Sequence, residues 1–376
     1  MNAVVTPYRP PGLRNRPVWN VLWTACVVGL APGCAREGSP AGERPGSREE
    51  VEAFLLQVDR TLDEIRGDPQ ALRDGCWVRA HWLLAFGSKG SSRQARQREF
   101  RNLMASLLEA GPSAGHEPPF VLRRGLPFPR AEGSNGDRQY HRDQFLGYMA
   151  IAGVPLEVPM TVEGRKFHLA ELLEQSLQEV RADGELSWTL MAYSHYLEGG
   201  RRWRNKFGEE LSVTDLIVAA LAREEKACAG AHYLCALAHV ASSRPWRNDP
   251  DLRDLCQQAG DRLRPEIQRL RDIQGEDGRF ELKSNLPDYA KAVGQDGLTV
   301  YYTGHALEWL ALAVTEVELR EPWVMRCVAA VRAALDAERA SLSGLRISDE
   351  VAWRRANVGH ATSGLSRWAD RNRTGN

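Results

Sequence analysis

The sequence has no excess of either charge, few cysteines and, beyond residue 30, no long apolar run. Its 49 Lys and Arg balance 49 Asp and Glu, and no basic stretch alternates with aromatics, so the footprint of a nucleic-acid binder is absent. No nucleic-acid partner is expected. Seven cysteines in 376 residues are too few and too irregularly placed for a disulfide framework. Cys26 and Cys34 lie near the start, leaving Cys76, Cys228, Cys235, Cys256 and Cys327, an odd set without paired spacing. Set in apolar helical patterns, they read as small buried hydrophobes. The 13-residue, mostly apolar run Val18 to Leu30 falls short of the roughly 20 needed to span a bilayer as a helix.

That short run has the form of an export signal. Arg9, Arg14 and Arg16 precede it, and Ala31-Pro-Gly-Cys34 follows. Leu30-Ala-Pro-Gly-Cys34 resembles the lipobox of bacterial lipoproteins, which implies a lipidated Cys34 as the new N-terminus. Simple cleavage near Ala35 is the alternative. Both predict export to the periplasm or cell envelope, with membrane attachment only through a lipid on Cys34. Residues 35–46, rich in Gly, Pro and Ser, read as a tether.

From Ser47 the chain reads as helix after helix. Ser47-Arg-Glu-Glu50 has the form of a capping box, and Val51, Phe54, Leu55, Val58, Leu62 and Ile65 recur at helical spacing. Leu72 to Phe86 is apolar on most of its circumference and is expected to be buried. Amphipathic and buried segments then alternate. Ser91 to Ala110 is outer, and the Pro- and Gly-rich residues 111–138 form a loop, either a cover over a cavity or an insertion. Tyr140 to Ile151 is inner, and a hairpin or extended link spans Val154 to Phe167.

Two units repeat at an offset of 44 residues: Phe167 to Leu173 matches Leu211 to Ile217, His195 falls opposite His239, and Trp188 opposite His232. The segment Asp249 to Gln274 is outer, with Pro265 expected to bend or split it. Thr299 to Thr315 is inner, Pro322 to Ser341 outer and Asn357 to Ala369 inner. Six outer and six inner helices in one domain, residues 47–376, predict an all-α (α/α)6 toroid.

Gln274-Gly-Glu-Asp277-Gly278-Arg-Phe280, followed by Tyr301-Tyr302-Thr-Gly304-His305, resembles the glutamine-aspartate-glycine-aromatic repeats of the squalene cyclase and protein prenyltransferase superfamily. The resemblance covers about residues 260–315 and implies the toroid. It does not bring the family's reactions. The Asp-x-Asp-Asp acid that protonates an alkene is missing, as is the Asp-Asp-x-x-Asp magnesium site. The zinc-thiolate motif of the prenyltransferases does not appear either, so cyclase activity is not expected.

The candidate site is the polar start of the inner helices. His81, His141, His232, His305 and His360 fall there, with Trp188 at the equivalent place in the remaining helix. Brought to one end of a cavity, they would make a polar bowl for a carboxylate, a sugar or another oxygen-rich ligand. The plainer alternative is that each imidazole bridges helices through backbone or Tyr hydrogen bonds. Tyr301 and Trp309 complete the candidate ligand-binding set. His305, Tyr302, Asp143 and Glu308 are the nominees for acid, base or nucleophile in polysaccharide chemistry.

His232-x-x-Cys235-x-x-x-His239 carries metal-ligand chemistry, but His232 and His239 stand about 10 Å apart along one helix. No metal or other cofactor is therefore expected. The leading expectation is an exported protein that holds a small molecule, glycan or protein partner in the central cavity. A carbohydrate-active lyase or hydrolase, or a scaffold with a filled cavity, are the alternatives.

Overall fold

A computed structural model of the chain describes residues 47–68, 74–86, 94–109, 118–130, 140–223, 230–280, 287–345 and 348–374. These lie in one compact unit. The expected signal segment, the tether, Cys34 and Cys228 lie outside the described residues. Among the described residues no helix is long and apolar enough to cross a membrane.

The described chain is mostly helical. Helix α1 (Arg48–Arg66) begins at the expected capping box: Ser47 Oγ accepts from the Glu50 N–H at 3.2 Å, and Glu50 accepts from the Ser47 N–H at 2.7 Å. Its stripe buries Val51, Val58, Leu62 and Ile65. Helix α2 (Cys76–Leu84) is buried throughout, and α3 (Gln94–Leu108) follows.

A hairpin then appears where the sequence predicts a loop. Strands β1 (Phe120–Arg123) and β2 (Leu126–Pro129) pair antiparallel across Arg124 and Gly125, both at positive φ, the backbone of a tight two-residue turn. Prolines at 127 and 129 hide it, because proline argues against a strand anywhere but at an edge. Its Phe120 ring packs 5.6 Å from Phe145 on α4 (Gln144–Ile151).

The duplicated units are structural repeats. Strands β3 (Pro159–Val162) and β4 (Arg165–His168) run straight into α5 (Leu169–Glu179), which is followed by α6 (Ser187–Tyr196). Strands β5 (Arg202–Arg204) and β6 (Glu210–Ser212) run likewise into α7 (Val213–Leu221), followed by α8 (Ala231–Ser242). Both outer helices open on reciprocal caps, His168 with Glu171 and Ser212 with Asp215. Equivalent residues of the two units become neighbours: Trp188 lies against His232 and His195 against His239.

After the short α9 (Arg244–Asn248), α10 runs from Arg253 to Asp272 through Pro265, so of the expected bend or split, the split does not occur. Pro265 faces solvent, where water can take the carbonyl that proline leaves without an N–H partner. Residues Gln274 to Phe280 close into a turn. Gln274 Nε2 donates to Gly278 O and Trp323 O, Asp277 accepts from the Arg279 N–H, and Gly278 holds φ +82°. Helix α11 (Pro287–Leu298) passes through a π-helical turn at Thr299–Thr303 into α12 (Gly304–Ala313). Helices α13 (Pro322–Leu342) and α14 (Asp349–Thr374) complete the order, with α14 starting well before the expected Asn357.

The buried helices pack in a circuit: α2 on α4, α4 on α6, α6 on α8, α8 on α12, α12 on α14, and α14 back on α2. The amphipathic helices pack on them, α3 against α2, α10 against α8, and α13 against α12 and α14. Cys76, Cys235, Cys256 and Cys327 are buried, as expected of small core residues. Glycine sets the closest approaches. A Cβ at Gly304 would sit 2.5 Å from Ala361 Cβ, and one at Gly359 2.7 Å from the His81 carbonyl oxygen. Gly359→Ala is expected to lose about 1–2 kcal/mol net in urea denaturation. Overpacking against rigid backbone outweighs the roughly 1 kcal/mol advantage of Ala over Gly inside a helix.

Candidate functional site

The circuit brings all five histidines of the sequence pattern into one aromatic-walled cluster. His305 and His360 rings lie 4.2 Å apart, His81 is 5.0 Å from His360, and His232 is 5.6 Å from His360 and 4.8 Å from His141. Trp188 packs edge-on to His232 at 4.9 Å and on Tyr148 at 4.6 Å. His232 and His305 open their helices as expected, whereas His81 and His360 sit in the middle of theirs.

Between the rings remains a chamber of about 10 Å³, lined by the five histidines with Trp77, Gln144 and Asn357. That is room for about one water molecule or ion, not for a sugar ring.

Hydrogen bonds orient three of the five imidazoles. His81 Nδ1–H donates to the Trp77 carbonyl at 2.7 Å, so its Nε2 accepts from the Tyr148 hydroxyl at 2.5 Å. Tyr148 in turn accepts from Gln144 Nε2 at 2.8 Å, and Gln144 Oε1 accepts from Trp77 Nε1 at 3.1 Å. Both nitrogens of His81 are thus committed to structure. His305 Nδ1–H donates to Tyr301 O at 2.7 Å, and His360 Nδ1–H donates to Glu308 Oε2 at 2.8 Å. With Nδ1 engaged in each ring, Nε2 is the nitrogen left to act as a ligand.

His232 differs from the other four. It is 3% exposed and neither of its ring nitrogens has a hydrogen-bond partner, a costly arrangement for a buried polar group. One ligand atom from each of His232, His305 and His360 lies within 4.8 Å of the other two. Nitrogens held at about 2.0–2.1 Å by a tetrahedral zinc ion stand about 3.3 Å apart, so the rings need to close by roughly an ångström.

Burial supplies the ligand-ready protonation state. It holds His81 and His232 well below the ordinary histidine range and takes His305 down to about 3, with the neighbouring imidazoles adding to the effect. Burial would push the Glu308 carboxyl up, but His360 and Arg367 outweigh it and bring it down to about 2. Glu308 is thus an anion behind His360, the carboxylate–histidine pairing that orients metal-ligating imidazoles. Arg367 stands 4.0 Å from Glu308 Oε1 as an ion pair, and donates to Glu308 O at 3.0 Å and to His239 Nε2 at 3.1 Å.

The remaining nominees stand elsewhere. Asp143, at φ +56° before α4, accepts from the Thr189 hydroxyl at 2.5 Å, and its carboxyl is raised by burial. It faces Thr189 while Glu308 faces His360, so the two acids do not flank a common space. Tyr301 reaches the edge of the cluster, 5.2 Å from the His305 ring, with Tyr302 stacked beyond it at 4.7 Å. Trp309 is a core side chain one turn along α12 from His305 and does not line the chamber. The His232, Cys235 and His239 series divides as its helical rise demands: Cys235 and His239 meet Arg367, and His239 meets His195 at 3.3 Å.

Sequence reasoning missed Tyr148, Gln144, Glu185 and Arg367. Tyr148 and Gln144 sit four residues apart on α4, one helical turn, which is the only local signal any of them carries. Set against models of protein families, curated proteins and solved structures, the chain matches none of them, so the reading of the site rests on its own residues.

Proposed function

We propose that this is an exported cell-envelope protein, built as an (α/α)6 toroid, that binds one divalent transition-metal ion through His232, His305 and His360. The toroid is supported by the closed circuit of α2, α4, α6, α8, α12 and α14, with amphipathic helices packed on it. Export is supported by the basic and apolar leader before Cys34. The observation that carries the metal reading is His232, a buried imidazole with two unpartnered nitrogens, set beside two rings whose Nδ1–H bonds leave Nε2 free.

Three imidazoles suit zinc, cobalt, nickel or copper better than magnesium or calcium, which prefer oxygen. A sugar, a polysaccharide chain or a prenyl group is far larger than the chamber. The ion therefore does the work of the site itself, and binding it stabilises the fold.

Metal-free protein titrated with Co(II) is expected to take up one equivalent with the absorption of a four-coordinate site, His232, His305 and His360 leaving one position for water. At an ion concentration 1,000 times Kd the folded state gains about 4 kcal/mol, visible as a raised Tm. A His232→Ala, His360→Ala double variant should take up none. Wild-type protein that binds no Co(II), Zn(II), Ni(II) or Cu(II) at neutral pH would overturn the proposal.

A further inference from the structure

The inner trio is buried, so an ion needs a way in. A second group of ligand atoms lies beside it and shares one member: His141, Glu185 and His232 also offer one atom each within 4.8 Å of the others. His141 precedes α4 and Glu185 precedes α6, so both sit where the chain enters buried helices. His141 Nδ1 stands 2.8 Å from Glu185 Oε1, and the two side chains remain 18% and 29% exposed. The His141 ring meets His232 at 4.8 Å and nearly perpendicular, at 87°.

We infer that His141, Glu185 and His232 form an outer ion station, from which His232 passes the metal inward to His305 and His360. The inference rests on the metal-binding reading of the inner trio. Two imidazoles and a carboxylate are an ordinary ligand set for zinc and its neighbours, and the partly exposed Glu185 side chain supplies the negative charge that draws a hydrated cation from water.

His232 is suited to the transfer because neither of its nitrogens is tied to a protein partner. Its ring can keep hold of the ion while the ligands on one side are exchanged for those on the other. Because His232 belongs to both groups, the stations are filled in turn and the chain holds one ion at rest.

A station that is only passed through changes how fast the ion arrives and leaves, and changes both rates by the same factor. Stopped-flow mixing of the full chain with Co(II), and release into excess chelator, separate the two rates. Glu185→Gln and His141→Ala are expected to slow loading and release alike, by about tenfold or more, while affinity stays within about twofold and stoichiometry at one. Glu185→Gln replaces a partly exposed group, so its far-UV circular dichroism and Tm should match wild type and leave the rates interpretable.

Wild-type rates in both variants would overturn the relay while leaving the inner site intact. So would two ions per wild-type chain with one in His141→Ala, which would make the outer group a permanent second site. No uptake by wild-type protein would remove the inner site and the relay together.

Discussion

Metal-free protein is expected to unfold cooperatively as the pH falls from about 6.5 towards 4.5, well above the range in which carboxylate protonation alone unfolds most domains. His81, His232, His239 and His305 are all held below the ordinary histidine value, first by burial and then by neighbouring imidazoles or Arg367. In the unfolded chain they take up protons near pH 6.5; in the folded chain they resist. Their contribution is complete above that pH and is lost as pH falls towards the folded value, about 3 for His305.

His305, held at about 3, costs about 1.4 kcal/mol per pH unit over that interval, or about 2 kcal/mol at pH 5. The other three buried rings act in the same direction, against a whole stability of about 5–15 kcal/mol for an ordinary domain. Urea unfolding at pH 7.5 and pH 5 measures the difference directly. Equal stabilities at the two values would mean that these imidazoles are not kept neutral by the fold. Zinc should move the transition to lower pH, because the ion binds the unprotonated rings.

Glu308→Ala is expected to cost about 3–5 kcal/mol, because it leaves the guanidinium of Arg367 in the interior without its counter-ion. Both side chains are under a tenth exposed, and burial this deep screens the pair little. The same change removes the acceptor of His360 Nδ1–H and frees the ring to turn or change tautomer, for which metal affinity should fall about 10–100-fold. Glu308→Gln separates the effects. It keeps an acceptor for His360 and should recover much of the affinity, but it lacks the charge and should recover little of the stability. Urea midpoints and competition against a chromophoric chelator read the two quantities. If Glu308→Ala leaves both unchanged, Glu308 supports neither the fold nor the ligand.

The sequence spacing of the histidines was enough to foretell that they meet, because one polar ring near the same level of successive buried helices has few other places to go. The cap at Ser47 was equally legible, since it is written within four residues. The size of the space they enclose was not legible. It depends on Trp77, Trp188 and Tyr148 filling the interior, and no single stretch records how rings from different helices divide a volume. Asp143 and Tyr302 carry suitable chemistry but do not line the chamber, because Asp143 is taken up by Thr189 and Tyr302 lies beyond Tyr301. Glu185 and Arg367 escaped notice because each becomes a neighbour of the histidines only when distant segments close together.

That closure lies in the last helix. Arg66 on α1 donates to Ser366 and Asp74 beside α2 pairs with Arg355, contacts that span 300 and 281 residues of chain. During synthesis the earliest helices therefore wait, with one flank bare, for a helix translated tens of seconds later. A polypeptide that cannot finish itself until α14 has emerged keeps that flank open for most of its synthesis, exposed to whatever else is folding nearby.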